Sequence, residues 1–85
     1  MEKILDILSQ IRPEFDFNSS ENFIEDGMLD SFDIISLVSD LDENFSISID
    51  GLDILPENFK NLETIKNLII KNGGSIWEIF LKIKK

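Results

Sequence analysis

Apolar residues fall into three stretches of helical spacing, separated by segments that keep no such period. Ile4, Leu5, Leu8 and Ile11 recur at i, i+1, i+4 and i+7, which places them on one stripe of a first helix that Pro13 closes. Ile34, Val38, Leu41 and Phe45 repeat at i, i+4, i+7 and i+11, with Leu37 widening the stripe. They predict a second helix whose opposite face carries Ser36, Asp40 and Glu43. Its start is well marked: Asp30 suits the N-cap, and Asp33 lies at the third helical position, where a carboxylate favours free backbone N–H groups. A last main helix follows from Leu62, Ile65, Leu68 and Ile69, capped by Asn61 and stopped at Asn72-Gly73.

The intervening segments are of three kinds. Residues 13–30 are rich in Asn, Ser, Asp, Glu and Gly without a lasting period, so a long ordered loop is expected, pinned to the core by Phe15, Phe17, Phe23 and Ile24. Ile47 and Ile49 alternate as in a short extended stretch ended by Gly51, and residues 52–55 are expected to make one helical turn before Pro56. In residues 75–85, Ile76, Ile79, Phe80 and Ile83 fit a helix, while Ile79, Leu81 and Ile83 fit a strand. The expectation is an extra helix packed on its own domain; a membrane or partner surface is the alternative that Trp77 and the terminal lysines suit. The fold class is therefore all-α: a small bundle of three main helices plus a short third turn, in a domain spanning 1–72 with a C-terminal extension at 73–85.

Composition narrows the function classes. Eighty-five residues allow one domain, and a chain this short buries only about three-fifths of the surface its unfolded form exposes. It has no cysteine, hence no disulfide framework, thiol nucleophile or Cys-based metal site. It also has no histidine, which removes the imidazole bases and ligands of most hydrolases and metalloenzymes. The expectation is a protein that is not an enzyme. No secretion signal is recognisable and no apolar run approaches the roughly 18 residues of a membrane span, so a cytoplasmic monomer is expected.

Charge adds a direction. The net charge is -9, and between Pro13 and Phe59 there are 13 acidic residues and no basic one. Such a surface repels nucleic acid phosphates and anionic lipid, and it steers basic protein surfaces towards itself. The run Asp40-Leu-Asp42-Glu-Asn44-Phe-Ser46 places oxygen ligands at every second residue, as in a calcium loop. An EF-hand loop also needs Gly at its sixth position and a bidentate Glu at its twelfth, where Phe45 and Gly51 stand. No metal site is expected there. Ser31 is the more informative residue. It follows a turn and opens the second helix, so its hydroxyl lies beside the free N–H groups of a helix N-terminus, a place that stabilises a phosphate or phosphodiester.

At these residues the chain resembles a known family. Gly27-Met28-Leu29-Asp30-Ser31-Phe32-Asp33 is similar to the Asp-Ser-Leu attachment motif of acyl carrier and peptidyl carrier proteins, which bind phosphopantetheine. The likeness continues from Ile34 to Phe45, then through Ile47-Ser-Ile49 and Pro56-Glu-Asn-Phe59 to Leu62-Glu-Thr-Ile65, covering residues 1 to about 72. The resemblance implies that Ser31 receives 4'-phosphopantetheine from coenzyme A, transferred by a separate Mg-dependent phosphopantetheinyl transferase. An acyl or aminoacyl group would then be held as a thioester on the cofactor's thiol, which a chain without cysteine does not itself supply. Loading and transferase enzymes with basic patches are the implied partners. They would meet a surface of Asp30, Phe32, Asp33, Ser36, Asp40 and Glu43, with Asp30 orienting the modifying enzyme and Phe32 lying beside the base of the cofactor.

Departures from the family pattern bear on the cargo. Fatty-acid carriers usually have Leu after the attachment serine, where this chain has Phe32, and commonly carry Glu and Met where Ser36 and Ser39 stand. The Asp-Ser-Phe form resembles discrete D-alanyl carriers and the stand-alone carriers of specialised acyl or peptide pathways. A specialised pathway, such as secondary metabolite biosynthesis, is therefore expected over housekeeping fatty acid synthesis.

Overall fold

The computed structural model describes residues 2–74; the helix or strand expected over 75–85 falls outside the described residues. Three α-helices form where the apolar spacing places them: α1 over Glu2–Ile11, α2 over Ser31–Phe45 and α3 over Leu62–Lys71. Short 3-10 turns occupy Phe17–Ser19, Gly51–Asp53 and Pro56–Phe59, and there is no strand among the described residues. The result is a small helical bundle. No helix among the described residues is long and apolar enough to cross a membrane.

α1 and α2 run antiparallel, and a cation marks each end of the pair. Near the start of α1, the Lys3 ammonium donates to the Asn44 carbonyl at the end of α2 (2.9 Å) and lies 4.9 Å from the centre of the Phe45 ring. The last turn of α2 has no base of its own, so Lys3 supplies the positive charge that a helix C-terminus favours. At the other end Arg12, just past α1, meets Asp30 and Asp33 at the start of α2. α3 packs on the Pro56–Phe59 turn and on α1.

Each helix sends three buried side chains inward: Ile4, Ile7 and Leu8 from α1, Ile34, Leu37 and Leu41 from α2, and Ile65, Leu68 and Ile69 from α3. Ile7 thus joins the expected stripe, while Leu5 and Ile11 are half-buried at its edges. The long loop contributes Phe17 and Phe23 as expected, with Phe15 and Ile24 packed against them. It also buries Met28 and Leu29, which the sequence places in a turn. Two adjacent aliphatic residues between a glycine and a helix cap have no period to announce them. Gly27, just ahead, takes φ +70°, a conformation in which a Cβ is strained, and lets the chain drop both side chains into the core.

The stretch from 46 to 60 departs most from expectation. The turn expected over 52–55 lies instead at Gly51–Asp53, where the Asp50 carboxylate accepts from the Leu52 N–H (2.9 Å). Pro56 starts the next turn rather than ending the previous one. At the first position of a helical turn its missing N–H is no loss. That second turn buries Phe59 completely. Ile49 is buried and Ile47 half-buried, yet neither pairs as a strand: the N–H groups of Ile47 and Ile49 donate to the carbonyl and carboxylate of Asp42. The end of α3 is tied back by Asn72, whose side chain accepts from the Asp50 N–H, and by Lys71, which pairs with Asp53 at 2.7 Å. Gly74 lies so close to Ile47 and Ile69 that a Cβ would overlap the Ile69 side chain.

Phe59 and Leu52 are seven residues apart in sequence and at opposite extremes of burial, the one fully buried and the other 84% exposed. Phe59→Ala is expected to cost about 3–5 kcal/mol in urea denaturation, because the ring's transfer energy and a cavity are both lost. Leu52→Ala should stay within about 0.5 kcal/mol of wild type. A Phe59→Ala loss no larger than that of Leu52→Ala would contradict this core.

Candidate functional site

Ser31 is the first residue of α2 and is exposed. The helix start that presents it is closed by a reciprocal cap. The Asp33 N–H donates to Asp30 Oδ1 (2.9 Å), and the Asp30 N–H donates to Asp33 Oδ2 (3.0 Å). This is the capping-box arrangement with aspartate at both positions, and it satisfies two donors of the first turn. The first intrahelical bond runs from the Ile34 N–H to the Asp30 carbonyl. The capping bonds thus close around Ser31 without using its side chain. Ser31 itself stands at the positive end of the α2 dipole.

A third residue locks the cap from outside the helix. Arg12, the only arginine of the chain, donates through Nε to Asp33 Oδ2 (2.8 Å), through Nη1 to Glu14 Oε2 (3.1 Å) and through Nη2 to Asp30 Oδ2 (3.3 Å). Its guanidinium also lies 5.9 Å from the Phe15 ring centre. These contacts raise the Arg12 pKa above its ordinary value, the Asp33 bond contributing most. The Asp30 carboxyl is held below the ordinary range, chiefly by the Asp33 N–H and further by the Arg12 charge. Glu14 is likewise lowered, first by its own backbone N–H and then by Arg12.

The side chains expected to form the partner surface divide into two groups. Phe32 is 81% exposed; Ser36 and Glu43 are exposed and Asp40 partly so, and all lie on α2 beyond Ser31. The Asp30 side chain is 58% exposed, but that of Asp33 is only 13% exposed and is turned to Arg12 and the Asp30 backbone. Asp33 therefore builds the helix start rather than facing solvent. Ile35, with 65% of its surface exposed, shares the α2 surface with Phe32. Sequence periodicity does not single it out, since an apolar residue directly after the inward Ile34 reads as part of the same stripe. Arg12 was equally hidden: a lone base beside a proline has no pattern, and only its position at the edge of the long acidic run is a signal. Of the acids in the calcium-like run, Asp42 uses its carboxylate to accept from the Ile49 N–H. Among the described residues no three acidic side chains converge in a way that could hold a metal ion.

Comparison with protein-family models, with curated proteins and with solved structures finds no match to this chain.

The pH dependence of the clamp has a definite sign. Asp30 and Glu14 titrate lower in the fold than in the unfolded chain, so their contribution is full above the ordinary carboxylate range of about 4 and is lost as pH falls through the depressed values. Arg12→Gln should therefore melt below wild type at neutral pH, and the gap should close in acid. Thermal melts followed by circular dichroism across pH 7 to about 3 check this; a gap that persists undiminished in acid would contradict it.

Proposed function

We propose that this chain is a discrete carrier protein, modified on Ser31 with 4'-phosphopantetheine and serving a specialised acyl or aminoacyl pathway. The single observation that carries the reading is the exposed hydroxyl of Asp30-Ser31-Phe32 at the start of an acidic helix, framed by a closed cap. The residues present suit the group. A phosphodiester on Ser31 Oγ would gain from the free N–H groups and dipole of the α2 N-terminus. An extended arm leaving Ser31 would meet the exposed Phe32 ring. When bound, the cofactor supplies the thiol that holds the cargo, and the chain has no cysteine to do so.

In this reading the protein does no chemistry of its own. Its side chains present Ser31, exclude no water, and offer an acidic face to enzymes with basic patches. Modification forms an O–P bond at Ser31 Oγ and breaks the pyrophosphate of coenzyme A; the nucleotide bisphosphate leaves and the hydroxyl proton passes to the transferase. The exposed apolar side chains Phe32 and Ile35 would give such partners a contact that survives salt.

Incubation with coenzyme A, Mg²⁺ and a promiscuous phosphopantetheinyl transferase should add one phosphopantetheine by intact mass. Ser31→Ala should abolish the gain while leaving the melting temperature close to that of wild type, since the hydroxyl takes no part in the cap. A folded wild-type protein that gains nothing would overturn the carrier reading in favour of an unmodified acidic interaction module.

A further inference from the structure

The three contacts of Arg12 are not equivalent. Its Nε bond goes to Asp33, whose side chain is 13% exposed and which also accepts from the Asp30 backbone. That contact joins the end of α1 to the start of α2. Its Nη2 contact goes to Asp30, immediately before Ser31, and at 3.3 Å it is the longest of the three. The Asp30 carboxylate is more than half exposed. One of its oxygens is committed to the Asp33 N–H, and Oδ2 is the one that faces Arg12. Any basic group that approaches Ser31 from solvent therefore meets an aspartate already facing a cation of its own chain.

We propose that Arg12 is a positioning residue that also tempers docking at Ser31, acting as an internal counter-ion which a partner's basic side chain must displace from Asp30. The inference rests on the carrier reading and adds to it a control on affinity. Docking exchanges the Arg12–Asp30 contact for a contact with the partner, while the Arg12–Asp33 bond stays and keeps the helix start in place. Removing Arg12 has two consequences of opposite sign. It loosens the junction between α1 and α2, and it leaves Asp30 and Glu14 unshielded, so the approach to Ser31 becomes more negative and attracts a basic surface more strongly. A residue that only held the structure would show the first consequence without the second.

The test measures transfer from coenzyme A to wild type, Arg12→Gln and Arg12→Lys by a promiscuous phosphopantetheinyl transferase. KM for the protein and kcat are taken at low and at physiological ionic strength, with melting curves alongside. Arg12→Gln should lower KM by about two- to fivefold with kcat unchanged, the range expected for an exposed charge pair. The advantage should shrink at the higher ionic strength. Arg12→Lys, which restores the charge, should bring KM back towards wild type. Arg12→Met, a neutral variant with an unbranched side chain, replaces Arg12→Gln if that variant melts below the assay temperature. A folded neutral variant whose KM equals or exceeds that of wild type would overturn the inference and leave the carrier reading standing. A folded wild type that is not modified at all would overturn both.

Discussion

The excursion between Arg12 and Asp30 leaves α1 and returns to the same end of the bundle to begin α2, and Phe23 holds it there. The ring is fully buried and meets Phe17 edge-on at 5.0 Å. The Phe23 N–H donates to the Lys60 carbonyl (2.6 Å), and its own carbonyl accepts from the N–H groups of Met28 (2.9 Å) and Leu29 (3.3 Å). One residue therefore joins the loop to the junction between the Pro56–Phe59 turn and α3, and fixes the two residues that precede the α2 cap. Buried backbone groups without partners are costly, so these bonds and the packing of the ring reinforce each other. The placement of Ser31 is inherited from this anchor. Its own side chain contributes nothing to it, which leaves the hydroxyl available for chemistry.

Electrostatics acts on top of that packing. In a domain with so large an excess of carboxylates, three of the cations sit at helix ends: Lys3 at the carbonyl end of α2, Arg12 at its cap, Lys71 at the end of α3. Arg12 and Lys71 pair with acids and Lys3 with a helix-end carbonyl, each where the chain must be held, and none of the three lies on the exposed face of α2. That face keeps its negative field for long-range steering, while the cap beneath Ser31 is locally shielded. Asp33 is turned inward to the junction, Asp40 and Glu43 are left to the solvent side, and Asp30, half in the cap and half exposed, lies between the two roles.

Helix positions were legible in the sequence because each helix carries a period, and α2 and α3 carry a cap as well. Asp30 with Asp33, and Asn61 with Thr64, form reciprocal caps in the structure, and Gly73 follows the end of α3 with a positive φ. What the sequence concealed lacks periodicity. Met28 and Leu29 are buried by the geometry of Gly27, and the 51–60 segment is divided by whether Pro56 ends one turn or begins another. At the site, the exposure of Ser31 followed from its place at a helix start, whereas Phe32 entered only through the resemblance to carrier proteins. The inward turn of Asp33 did not, because it depends on Arg12, a contact across 21 residues of chain.

The central claim concerns the covalent state of Ser31. Top-down mass spectrometry of the chain isolated from its own cells, with fragmentation to locate any added group, addresses it most directly. The account predicts a population carrying one phosphopantetheine, with or without an acyl group, on the fragment that contains Ser31. A folded, abundant protein whose Ser31 is bare in every copy would contradict it.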